Sequence, residues 1–277
     1  MNRHMPGLRS YLLIIGAFTI PVGLALMAVF PVPADAGWTP LAAAVISSLV
    51  RVTAVFLLLS AMKAEDVARI IPLNSTAPVF VAVMAAAFLD EDLKPLQWLA
   101  IGIVVCGAIL ISFKNTGGGN HRFHARSFFM VIGSAVLFAI GDVTNKYALE
   151  SISYLNTAGL MFFITSAIFV AACWRPGVVR QLKALKRPVG IVAGVIANQV
   201  AAITATLLSY WAVANGPVSL ASTIFNSKPL FVFAFALLMS RLAPGFLPDG
   251  GSDAKTLARK LIATLLIFGG LVLIVLS

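Results

Sequence analysis

Four charged side chains fall inside long apolar runs: Arg51, Asp142, Lys146 and Lys228. A charge at mid-bilayer costs at least about 2.5–3.5 kcal/mol, so such a residue normally faces a cavity or a partner. Asp142 and Lys146 are four residues apart and can pair on one helical face, with Lys146 snorkelling from the helix end. Arg51 and Lys228 lack a comparable acid, because Asp142 is the one acid well inside any run. If all four are ionised, three positive groups stand against one negative, which favours an anionic or zwitterionic ligand. Desolvation that neutralised Lys228 would remove much of that preference. An acid at the position of Asp142 can gain and lose a proton, so proton coupling is assigned to Asp142 with Lys146.

Two polar clusters interrupt other apolar runs, LNSTAPVF at residues 73–80 and IFNSKPLFV at 224–232. A proline inside a helix removes a donor and clashes with the preceding turn, while Asn and Ser can satisfy the freed backbone groups. Each cluster is therefore expected to mark a kink that faces the protein interior. Asn74, Ser75, Thr76 and Pro78 would then face Asn226, Ser227, Lys228 and Pro229 across a ligand site, or simply tie helices together. Asn198, Gln199 and Tyr210 add polar groups that could orient a small ligand or form helix-to-helix hydrogen bonds.

Other reactive residue types carry less. Asp90-Glu91-Asp92 could attract cations but reads best as a solvated turn. His121 and His124, without Cys or acids, are weak metal ligands. Cys106 and Cys173 match no metal spacing and are expected in the core. No metal site and no cofactor is expected.

These residues must be positioned by membrane helices. The chain of 277 residues is 60% hydrophobic and 11% charged, with a mean hydropathy of +0.98, far more apolar than a soluble domain. The lipid bilayer is its expected solvent. No polar domain is large enough to present the net charge of +10 to nucleic acid, so nucleic acid is excluded as a partner. About 20 helical residues cross the hydrocarbon core, and runs of that size recur at 11–30, 39–62, 68–89, 95–113, 126–147, 154–174, 191–214, 217–239 and 256–276. Nine spans are expected in an all-α, polytopic membrane bundle. Arg3 and Arg9 before the first run, with Ala34-Asp35-Ala36 after it, also fit a signal peptide. The apolar core is longer than the usual 7–15 or so residues, which argues against that reading.

Loops on one side hold Arg3, Arg9, Lys63, Arg69, Lys114, Arg122, Arg126, Arg175, Arg180, Lys183, Lys186, Arg187, Arg241, Lys255, Arg259 and Lys260, whereas the other side holds only Lys94. The positive-inside rule places the N-terminus in the cytoplasm and, with nine spans, the C-terminus outside.

Placing Pro78 on Pro229 aligns Ala61 with Ala212, Val67 with Val218, Phe80 with Phe231 and Val81 with Val232; after a longer loop, Gly107 aligns with Gly269. Spans one to four thus repeat as six to nine. Equivalent spans are five apart, an odd number, so the repeats have inverted topology. The loop after the first span has no Lys or Arg and its counterpart has five; the loop after the second has two and its counterpart none. That opposite bias is what inversion requires. The expected domains are a first repeat at 1–115, a flexible cytoplasmic linker at 116–125 and a second repeat at 126–277.

The run AMKAEDVARIIPLNSTAPVFVAVMAAAFLDEDLKPLQWLAIGIVVCGAILISF resembles the end of an EamA-type repeat of the drug/metabolite transporter superfamily: a helix with a central Pro, Glu91 just past it, then Gln97 and a Gly-rich closing helix. The second half keeps Pro229 but has Ser240-Arg241 where an acid is expected and Arg259 opposite Gln97. The resemblance implies ten helices in two sets of five with both ends in the cytoplasm. The present count of four plus five spans implies that the first helix was lost or lies upstream of Met1. A second copy in a homodimer could supply it.

The leading expectation is a secondary transporter of a small organic metabolite, working by alternating access in the cytoplasmic (inner) membrane of a bacterium. Its partners are the small-molecule substrate and the bilayer. No P-loop is present to use ATP directly, and an enzyme is not expected. The alternatives are an intramembrane enzyme acting on a lipid-linked group and a non-transporting membrane subunit. Prenyl-transferring enzymes need paired Asp-rich motifs for magnesium, and no cytoplasmic loop offers a DxxxD pair.

Overall fold

The computed structural model describes residues 8–33, 36–65, 70, 73–112, 125–183, 188–228, 231, 238 and 254–276. Among them the secondary structure is helical: α1 (Leu8–Val29), α2 (Trp38–Ala64), α3 (Ala77–Phe88), α4 (Pro95–Ser112), α5 (Ala125–Leu149), α6 (Tyr154–Cys173), α7 (Pro176–Lys183), α8 (Pro188–Ala214), α9 (Val218–Phe225) and α10 (Ala254–Leu276). Five of these are long and apolar enough to cross a membrane, and 77–88, 95–110 and 261–274 are shorter apolar helices. The protein is a polytopic helical bundle. The linker placed at 116–125 lies, except for its last residue, outside the described residues, as do His121, His124 and Pro229.

Two compact units divide the chain, and neither is a repeat. One contains residues 1–52 and 144–215, the other 53–143 and 216–277, so each draws helices from both repeats.

In the first unit α1 packs along α6, and α8 lies against both. The two long helices are antiparallel. A Cβ on Gly16 would lie 3.1 Å from the Ser166 carbonyl, and one on Gly23 would lie 2.9 Å from the Gly159 carbonyl. Small residues seven apart on each helix thus let the backbones touch, the usual route to close association where lipid removes any hydrophobic drive. Phe162, Ala158 and Tyr210 form a buried cluster with Val22 and Leu26 around this contact.

In the second unit α4 packs along α10 in the same antiparallel way. A Cβ on Gly107 would meet the Ala263 carbonyl at 3.0 Å and Ile267, while one on Gly270 would meet the Ala100 carbonyl at 3.2 Å and Val104. Ala100, Val104 and Gly107 therefore match Ala263, Ile267 and Gly270 in reciprocal contacts. The register is one residue from the expected one, because Gly270 and not Gly269 occupies the close approach; Gly269 has nothing near it. α9 packs against α3 and α4. Equivalent spans run antiparallel in both units, which is the direction that inverted repeats require.

Two other expectations change. The loop after α6 contains the extra short helix α7. Cys173 is buried as expected, but Cys106 is exposed on α4 because it lies on the face opposite the helix contact at Gly107 and Val104.

Candidate functional site

The third span is broken where a kink was expected. Residues 75–76 form a turn and α3 starts anew at Ala77, with Pro78 in the first turn. There the missing proline N–H removes no helical hydrogen bond, and the fixed φ suits a helix start. The eighth span breaks at the equivalent point: α9 ends at Phe225 and residues 226–227 form a turn. The same side-chain hydrogen bond closes each break. The Thr76 hydroxyl donates to the Leu73 carbonyl at 2.7 Å, and the Ser227 hydroxyl donates to the Ile224 carbonyl at 2.7 Å. Thr76 and Ser227, like Leu73 and Ile224, are separated by the repeat spacing that superposes Pro78 on Pro229.

The two breaks touch each other. Asn226 Nδ2 donates to the Ser75 carbonyl at 2.8 Å across a chain separation of 151 residues. Ser75 and Asn226 are themselves equivalent positions, and in a two-fold arrangement a residue meets its own equivalent at the axis. Around it Ser75, Ser227 and Pro78 are buried, Asn74 and Asn226 are half-buried, and Lys228 is exposed. Asn74 Oδ1 is buried without a hydrogen-bond partner. Leaving such an acceptor unmet costs about 1–3 kcal/mol.

Glu91 anchors the far end of α9. The backbone N–H of Val218 donates to Glu91 Oε1 at 2.6 Å, and the Ser219 hydroxyl and N–H donate to Oε2 at 2.5 and 3.4 Å. Pro217 occupies the N-cap position and has no side-chain acceptor, so the first donors of α9 are met by this carboxylate, whose charge also complements the helix dipole. Asp90, at φ 51°, turns the chain in the left-handed region that Asp tolerates. Reading the acidic turn as merely solvated missed this role. The available signal was a helix start without a capping residue, facing a side poor in charge.

The remaining candidates have identifiable surroundings. Asp142 is half-buried on α5 in the second unit. In the first unit Lys146 Nζ donates to the Val213 carbonyl at 2.8 Å, in the last turn of α8, where a cation suits the helix dipole. Asn198 Nδ2 donates to the Tyr11 hydroxyl and Gln199 Nε2 to the Thr19 hydroxyl, both at 3.2 Å, so both side chains link α8 to α1. Tyr210 is 4% exposed within the cluster at Phe162, and Arg51 is half-buried. Ser47 Oγ and Asn145 Oδ1 are also buried without hydrogen-bond partners. No group of three or more His, Cys, Asp or Glu that could hold a metal occurs among the described residues.

Comparison with known proteins places this geometry. The model of the EamA-like transporter family matches residues 7–113 and 125–247, one match per repeat. The chain belongs to the EamA-like transporter family. An "Uncharacterized transporter in cobO 3'region" from Sinorhizobium sp. is 36% identical over 52 residues, 19% of this chain and 37% of the length of that relative. A crystal structure superposes with a TM-score of 0.64 over 97% of this chain and 87% of its own, at 19% identity, a likeness of fold. EamA membership makes this an integral membrane protein of a transporter family.

Proposed function

We propose that this EamA protein is a secondary transporter that carries a small organic metabolite, anionic or zwitterionic, across the cytoplasmic membrane by alternating access. The two helix breaks form its substrate site. The Asn226–Ser75 hydrogen bond carries this reading, because it joins equivalent breaks, and inverted-repeat transporters bind substrate where discontinuous helices meet. Asn74 offers an unmet buried acceptor, Asn226 an amide, and Lys228 an ammonium beside the break. That set suits a carboxylate with a neighbouring donor group. Asp142 is the group assigned to proton coupling, with Lys146 one helical turn further along α5. The charge bias supports an N-terminus in the cytoplasm.

Uptake into proteoliposomes tests the reading with a panel of amino acids, phosphorylated sugars and amphipathic cations. The expected result is uptake of anionic or zwitterionic solutes that Lys228→Ala lowers at least tenfold while the protein stays folded. Uptake of cations alone, or full activity in Lys228→Ala, would contradict it.

A further inference from the structure

Helix α7 is too short to cross a membrane, at eight residues. Its sequence separates into two helical faces. Val178, Val179 and Leu182 recur at i, i+1 and i+4, and Arg180 and Lys183 at i and i+3. Val178 is buried, and α7 packs on α1, so α7 is held against the body of the first unit. Arg175 and Arg180 are exposed, and Trp174 beside them is 67% exposed.

Apart from Arg51 and Lys146, charge on the described residues of this unit is segregated by end. α1 and α6 are antiparallel, so exposed Arg9 at the start of α1 lies at the same end as Trp174, Arg175 and α7. Glu150, the acid among the described residues of the unit, precedes α6 at the opposite end. Between Glu150 and Asp249 the sequence has no acid at all. Among the described residues of the unit, the basic end therefore has no acid beside it. An indole and an amphipathic basic helix at the end of spanning helices belong at the depth of lipid headgroups, where anionic lipid attracts Lys and Arg.

We propose that Arg9, Trp174, Arg175 and Arg180 form a docking surface for the anionic headgroups of membrane phospholipids, with α7 lying in the headgroup layer. A neutral lipid has no net charge to satisfy this surface. A soluble phosphate lacks the acyl chains that would place it there.

The test uses the full chain, delipidated in neutral detergent, and follows melting temperature while phosphatidylglycerol, phosphatidylcholine or glycerol phosphate is added. Phosphatidylglycerol is expected to stabilise the wild type at a concentration about tenfold or more below that needed for phosphatidylcholine. Arg9→Gln/Arg175→Gln/Arg180→Gln should abolish that preference. Arg175→Lys/Arg180→Lys, and Lys94→Gln in the second unit, should keep it. Should the triple variant fail to fold, high salt applied to the wild type decides, because screening must erase the preference. Equal response to the two lipids, a preference that survives the triple substitution or high salt, or an equal effect of glycerol phosphate would overturn the proposal.

Discussion

Glu91 sits in a turn, yet its carboxylate receives the N–H of Val218 at 2.6 Å and the hydroxyl of Ser219 at 2.5 Å. Charge-assisted hydrogen bonds of this kind contribute about 1.5–3 kcal/mol each, and a helix cap about 0.5–2 kcal/mol. These contributions overlap, so Glu91→Ala is expected to cost about 2–3 kcal/mol in thermal unfolding in detergent, with Glu91→Gln intermediate. The hydroxyl closures at the breaks should be worth less, about 1 kcal/mol each, and nearly equal: Thr76→Val and Ser227→Ala should lower the melting temperature by similar amounts, and unequal effects would argue against equivalent breaks. Ser47→Ala should be neutral or slightly stabilising, since it removes a buried hydroxyl without a hydrogen-bond partner. At this scale the sequence was partly legible. The paired Pro78 and Pro229 clusters identified residues that meet, because polar side chains in such a cluster supply what an interrupted helix needs: a hydroxyl, Thr76 or Ser227, closes each break, and Asn226 joins the two. Glu91 was legible only from the other side, where Pro217 leaves α9 without a capping side chain, because nothing local says which helix end an acid in a turn will reach.

Helix contacts in this protein rest on glycines whose missing Cβ sets the distance. At Gly107 and Gly270 an added Cβ would come within 2.7 and 2.5 Å of the neighbouring side chains, with backbone carbonyls at 3.0 and 3.2 Å behind them. Gly107→Ala or Gly270→Ala should therefore cost about 1–3 kcal/mol as α4 and α10 are forced apart. Gly102→Ala and Gly269→Ala meet nothing within 4 Å and should be neutral or stabilising by up to about 1 kcal/mol through helix propensity. Melting temperatures of the four variants check the contrast. The adjacent pair Gly269-Gly270 explains why the sequence alignment slipped by one residue: both glycines satisfy the pattern, and only the reciprocal contact chooses. The span positions were legible from hydropathy. The breaks were read as kinks because a run of apolar residues does not record that the backbone has left the helix for two residues. α7 was not legible as a helix because it is too short to span and its basic residues read as a charged loop.

For the whole molecule, the repeats and the compact units are different partitions of one chain, and both are consistent with inversion. Duplication leaves its mark in sequence spacing, whereas packing follows contacts between equivalent antiparallel helices, α1 with α6 and α4 with α10. That is why the repeats could be read from the sequence and the interleaved units could not. Family membership fixes the transporter class, and the proposed substrate site lies where the breaks meet at Ser75 and Asn226. The most direct test is ligand-induced stabilisation of the purified chain in detergent, screened against the same metabolite panel in wild type, Asn74→Ala and Lys228→Ala. A ligand that binds the native state must raise the melting temperature by mass action. An anionic or zwitterionic metabolite is expected to stabilise the wild type, and either substitution should remove the shift while the unliganded variants melt near the wild-type temperature. Undiminished ligand stabilisation in both variants would contradict this and move the substrate away from the breaks.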